Sequence, residues 1–218
     1  MNHNPYPQAM QPAMHRLPIP RLLLPTVLIL LLAACSRAPL EPLPPDAVIL
    51  AFGDSLTEGI GAGKGEDYPS RLAERTGLTV INAGVSGQTS AEGLARLPDT
   101  LDRSDPDLMI LLMGGNDILR NGAPEQTRAN LQAMIRMAEA RNIDVILLGV
   151  PEKSLFSSSA PLYDEVAEAH DVVFERGLVA SLLKRPGYKS DPIHLNARGY
   201  DALAERLHEL LVDSGAIR

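Results

Sequence analysis

Four short stretches of this chain bring together residue types able to do chemistry on a carbonyl group. In Gly53-Asp54-Ser55-Leu56 a serine follows a turn of small residues, and a hydroxyl held there becomes a nucleophile once a neighbouring base takes its proton. Residues 82–90 and the run Gly114-Gly115-Asn116-Asp117 offer bare backbone or amide donors, the groups that stabilise a developing oxyanion. Asp191-Pro192-Ile193-His194 sets a carboxylate three residues before an imidazole. One turn there points the acid at the ring, fixes its tautomer and leaves the other nitrogen free as a base. Singly, each stretch also has a plain structural reading: Ser55 as a turn serine, Asn116 as a turn asparagine in the left-handed region, His194 as a cap of the last helix.

Neighbouring patterns exclude other chemistries. The serine loop is not a Gly-x-Ser-x-Gly elbow, because Thr57 occupies the final glycine position. The glycines from 59 to 65 make no dinucleotide loop, which fails at Lys64, and no Walker loop, which lacks its first glycine and its Ser/Thr. No metal is expected: His208-Glu209 is not followed by a second histidine, His170 has no partner at ligand spacing, and a single cysteine makes no multi-thiolate site. No cofactor is expected either.

The elements that must position these loops follow from hydrophobic pattern. Apolar runs of strand length fall at 47–52, 78–81, 107–113 and 144–150, with a weaker one at 171–174. Helical periodicity falls between and after them, at 68–75, 90–101, 124–141, 162–170 and 197–212. In the last, Leu203, Leu207, Leu210 and Leu211 share a face, with Asn196 as N-cap and Gly215 as stop. Strands apolar throughout indicate a sheet covered on both faces, so the predicted fold class is α/β, a three-layer α/β/α sandwich with a central parallel sheet. Ligands of such sheets sit at the carboxyl ends of the strands, where all four stretches fall.

Of the 218 residues, 45% are hydrophobic and 22% charged, as in a globular chain, and the net charge of −7 lacks the positive field that nucleic acid requires. Arg16 and Arg21 precede an apolar run at 22–34 that is too short for a comfortable membrane span, where about 20 residues are needed. The run ends in small residues, so 1–34 reads as a secretory signal, with translation expected to start at Met14 because 1–13 carries no charge and three prolines. Leu32-Ala33-Ala34-Cys35 resembles a bacterial lipobox. That resemblance implies cleavage before Cys35 and lipid on its thiol, and Ser36 implies the outer membrane. Residues 35–45, with four prolines, are expected to form an extended tether, and the domain is expected over 46–218.

Taken in order, the serine, the amide donors, the asparagine and the Asp-x-x-His resemble the SGNH (GDSL) hydrolases over residues 47–213. The run Ser86 to Pro98 and Gly114-Gly115-Asn116-Asp117-Ile118-Leu119-Arg120 are similar to the bacterial thioesterase I, arylesterase and lysophospholipase group. The resemblance implies a flavodoxin-like SGNH fold and a serine esterase acting on acyl, aryl or lysophospholipid esters, or on thioesters. It assigns Ser55 as nucleophile, His194 as base then acid, and Asp191 as its orienting group. The oxyanion hole it implies comprises the Ser55 and Gly87 amides and the Asn116 side chain, with Gly84 the rival of Gly87. Leu155 and Phe156 become candidate substrate contacts in the loop after the fourth strand. Asp54 and Asp117 are expected to brace turns. The competing functions are a carbohydrate O-acetylesterase of the cell envelope and a noncatalytic envelope lipoprotein. Partners are the ester substrate and, through Cys35, a membrane. The sequence is silent on oligomeric state.

Overall fold

The computed structural model describes Met1, His3 and residues 40–153 and 158–218. Cys35, the expected signal segment apart from Met1 and His3, Leu155 and Phe156 lie outside the described residues. From Leu40 onward the chain forms a five-stranded, wholly parallel sheet in the order β2-β1-β3-β4-β5. Its strands are β1 (Val48–Gly53), β2 (Thr79–Gly84), β3 (Leu108–Leu112), β4 (Asp144–Leu148) and β5 (Val173–Glu175). The helices are α1 (Ser55–Glu58), α2 (Tyr68–Thr76), α3 (Ser90–Ser104), α4 (Gly115–Leu119), α5 (Pro124–Glu139), α6 (Pro161–His170), α7 (Leu178–Leu183) and α8 (Ala197–Asp213). Helices α2, α7 and α8 pack together, as do α3, α5 and α6, giving the expected three layers. The hydrophobic side chains of β1 and β3 are almost wholly removed from water, which is why their sequences are apolar without alternation. The edge strand β2 departs from that expectation: it is half-buried along its length, and only its inner side is covered by β1.

Chain direction reverses across the sheet at β1. After β1 the chain crosses to β2 on one side, and after β2 it returns to β3 on the other. The loops after β1 and β3 therefore diverge and leave a crevice at the carboxyl edge. Those loops carry Ser55 and Asn116.

At the opposite, amino edge, residues 40–43 of the stretch expected to be an extended tether hydrogen-bond to the domain, while Pro42, Pro44 and Pro45 are exposed. Leu40 N donates to Ser214 O at 3.1 Å, Leu43 N to Ala216 O at 2.8 Å, and Glu41 N to a carboxylate oxygen of Asp144, the first residue of β4, at 3.1 Å. Leu40 is buried. Burying a leucine contributes about 1.5–3 kcal/mol, enough to seat a short segment whose prolines have little backbone entropy to lose. Among the described residues, no helix is long and apolar enough to cross a membrane.

Candidate active site

Ser55 opens the one-turn helix α1, directly after β1. Asp54 is its N-cap, accepting from Leu56 N at 3.2 Å, so the acid before the serine fixes the turn that presents it. Across the crevice, residues 188–196 form a tight loop before α8. Lys189 and Leu195 pair as an isolated antiparallel bridge, Ser190 N donates to His194 O at 3.0 Å and Asn196 N to Tyr188 O at 3.0 Å. Asn196 caps α8 through Gly199 N, as the sequence implied.

Within that loop, Asp191 divides its two oxygens. Oδ1 accepts from the amides of Ile193 and His194, both at 2.8 Å, and Oδ2 lies 2.7 Å from His194 Nδ1. Desolvation alone would raise the Asp191 carboxyl, but the hydrogen bonds from the His194 ring and the two amides outweigh it and hold the group below the usual carboxylate range. An ionised Asp191 only accepts, so Nδ1 carries the proton. In the neutral ring Nε2 then keeps its lone pair, and it lies 3.0 Å from Ser55 Oγ. The order serine, imidazole, carboxylate can draw a proton from the hydroxyl and return it to a leaving group.

The donor side is built by the loops after β2 and β3. A turn closed by Gln88 N to Val85 O sets Gly87 at φ +79°, a conformation open to glycine at little cost. The Gly87 and Ser55 amides have no partner among the described hydrogen bonds. Gly84, the rival, is occupied otherwise. Its amide donates to Asn82 Oδ1 at 2.9 Å, and a Cβ there would lie 2.0 Å from Glu58 N, so this glycine is needed for the close approach of β2 to α1. Asn116, in α4, donates through Nδ2 to Gln88 O at 3.0 Å and, more weakly, to Asp54 Oδ2 at 3.3 Å. Asp117 accepts from Ser90 N and Oγ, both at 2.7 Å, and ties α4 to the start of α3. Asp54 thus braces its own turn, as expected, whereas Asp117 bridges two helices instead of bracing a turn.

Burial, above all, pushes the Asp54 carboxyl up to about 6, opposed by its bond from Leu56 N and by the field of His194. Asp54 is 4% exposed. Beside it and Ser55 lies a cavity of about 160 Å³ lined by Ile118, Leu119, Val150, Leu183, Pro192 and Ile193. Among the described residues, no group of three or more His, Cys, Asp or Glu side chains is placed to hold a metal.

Several supporting residues receive no role from the sequence alone, although Arg96 and Arg120 lie in the runs that carry the family resemblance. Tyr200 of α8 donates to Ile60 O at 2.7 Å and ties the histidine side to the loop after α1. Glu58 accepts from Ser86 N, and Arg120 donates to Gly87 O at 2.8 Å. Arg96 lies behind the serine and glycine loops.

The fold is of the α/β type with a site at the carboxyl edge of a parallel sheet, and the comparisons with known proteins place it in a family. The profile of the GDSL-like Lipase/Acylhydrolase family matches residues 51–202, and the chain belongs to that family of carboxylic ester hydrolases. It is similar to Esterase TesA of Pseudomonas aeruginosa, 39% identical over a match spanning 47% of this chain and 53% of that protein. It is also similar to the arylesterase of Vibrio mimicus, 29% identical over 87% of this chain and 97% of that one. The solved structure of TesA superposes with a TM-score of 0.67 at 30% identity, covering 77% of this chain and 97% of its own.

Proposed function

We propose that this chain hydrolyses carboxylic esters through Ser55, His194 and Asp191. Ser55 Oγ attacks the carbonyl carbon while its proton passes to His194 Nε2. Charge on the carbonyl oxygen is met by the Ser55 and Gly87 amides and by Asn116 Nδ2, which exchanges its weaker bond to Asp54 Oδ2 for the oxyanion. His194 then protonates the departing alkoxide, and a water deprotonated by the same nitrogen releases the acid and restores Ser55. Donors aimed at the oxyanion accelerate the reaction because they favour the transition state over the ground-state ester. The observation that carries this reading is the unbroken relay of 3.0 Å from Ser55 to His194 and 2.7 Å on to Asp191.

The substrate class follows from the cavity beside Ser55. At about 160 Å³, with a mostly apolar lining that also includes Glu152 and Lys153, it has room for an aromatic ring or a short acyl group. We therefore propose aryl esters and short acyl esters as substrates that this crevice accepts, and chain-length preference beyond them is what the assay measures. The lipobox-like Leu32-Ala33-Ala34-Cys35 supports export and anchoring by a lipid on Cys35. The test is kcat/KM across phenyl and p-nitrophenyl esters from acetate to decanoate, with lysophospholipids and acetylated sugars alongside. Turnover of short acyl and aryl esters is expected. Activity restricted to acetylated sugars would replace this reading with an O-acetylesterase, and inactivity on every ester would leave a scaffold without catalysis.

A further inference from the structure

Arg96 projects from α3 beneath the loops that carry Ser55 and Gly87. Its guanidinium carbon lies 4.0 Å from the centre of the Phe52 ring. Nη2 donates to Gly53 O at 3.1 Å and to Ala83 O at 2.8 Å, and Nε donates to Gln88 Oε1 at 2.6 Å. Those acceptors are not interchangeable surface oxygens. Gly53 is two residues before Ser55 and ends β1. Ala83 is in β2, beside Phe52 in the register. Gln88 follows Gly87, and its backbone oxygen receives the Asn116 amide. One planar group thus spans the nucleophile strand, the glycine loop and, through Gln88, the asparagine.

The charge state adds a second observation. Arg96 is half-buried, and burial lowers its pKa from the usual value. Among the described residues no carboxylate forms an ion pair with it; every described hydrogen-bond acceptor is neutral. Desolvating a cation without a counterion is costly, and here the hydrogen bonds that offset this cost join the end of β1, β2 and the loop at Gln88. A lysine keeps the charge but has no flat fork to lie on Phe52 while reaching diverging acceptors.

We propose that Arg96 is a positioning residue for the oxyanion hole, setting the spacing between the Ser55 amide, the Gly87 amide and Asn116. This inference rests on the ester-hydrolase reading of Ser55. Misplacing an oxyanion donor by about 1 Å costs up to about 100-fold in rate, and the loss falls in kcat because the donors act chiefly in the transition state.

The experiment compares wild type with Arg96→Lys, Arg96→Ala and Gln88→Ala, the last removing one acceptor from a half-buried loop position so that folding is retained. Active sites are counted by titration with a fluorophosphonate, and kcat and KM on p-nitrophenyl acetate are expressed per titrated site, which separates a loss of folded enzyme from a loss of rate. For Arg96→Lys the expected result is a fall in kcat of about 10- to 100-fold with KM changed by less than about threefold. Gln88→Ala should lose less, and its effect should shrink in the Arg96→Lys background because both changes break the same bridge. Millimolar guanidinium should restore part of the kcat of Arg96→Ala, whereas ethylammonium should not. A kcat per titrated site within about twofold of wild type in Arg96→Lys and Gln88→Ala, or a change confined to KM, overturns the proposal. Wild type that is not labelled at Ser55 overturns the parent reading, and this inference with it.

Discussion

Replacing Asp54 by asparagine separates the cost of burying a charge from the value of the bonds it makes. Burial raises the Asp54 carboxyl from 3.8 to about 6. The folded chain therefore keeps this proton up to about pH 6, whereas the unfolded chain releases it near 3.8. Across that window the folded state binds more protons, so stability from this group is fully present below about pH 3.8 and is lost as pH rises through 6. Each tenfold change in proton affinity is worth about 1.36 kcal/mol, so the loss approaches about 3 kcal/mol. Asparagine carries no such slope. It does have only one oxygen for two donors, Leu56 N and Asn116 Nδ2, so it forfeits one bond at every pH, about 1–2 kcal/mol. Asp54→Asn should then be less stable than wild type by about 0.5–1.5 kcal/mol at pH 4 and more stable by about 1–2 kcal/mol at pH 8, with the curves crossing near about pH 4.5 to 5.5. Urea unfolding of both proteins over this range measures the difference, and other titrating groups cancel to first order. Parallel pH profiles would refute the burial argument. The same variant should lose esterase activity at pH 8 despite its added stability, because Asp54 also fixes the Ser55 turn and touches Asn116; undiminished activity would refute that placement.

Asn116→Ala should lower kcat by about 10² to 10³ with little change in KM, and a change confined to KM in steady-state assays would move Asn116 to ground-state binding. Tyr200→Phe removes the bond to Ile60 O and should destabilise by about 1–2 kcal/mol in urea unfolding. It should also lower activity, since that bond joins the two halves of the crevice; unchanged stability and activity would show the tie to be dispensable.

The features legible in the sequence are those set by local pattern. Strands β1, β3 and β4 declare themselves because side chains covered on both faces must be apolar at successive positions, and α8 does so through its leucine face and its Asn196 cap. The Asp191–His194 contact is legible because three residues suffice to make the turn. What escapes notice is short or distant. Helices α1, α4 and α7 span four to six residues, too few for a helical period to register. The family resemblance points to Gly87 over Gly84 by its place before Gln88-Thr89, and the physical reasons are tertiary: Glu58 N packs against Gly84, whereas the Gly87 amide has no partner among the described hydrogen bonds. Tyr200 and Ile60 meet across 140 positions. Arg96 lies inside the run that resembles the family, yet nothing in its local pattern indicates three acceptors on separate segments. The stretch 40–45 reads as a tether because proline favours extension, and its docking depends on the C-terminal residues Ser214 and Ala216, which no local pattern connects to it.

The central claim is that Ser55 is the nucleophile, activated by His194. Its most direct test is the intact mass of wild type after exposure to a fluorophosphonate, followed by peptide mapping, with Ser55→Ala and His194→Ala alongside. Wild type should carry one phosphonyl group per chain on Ser55 and lose its esterase activity, Ser55→Ala should take no label, and labelling of His194→Ala should be slower by several orders of magnitude. Phosphonylation of another serine, such as Ser86, or esterase activity that survives full modification of Ser55, would contradict it.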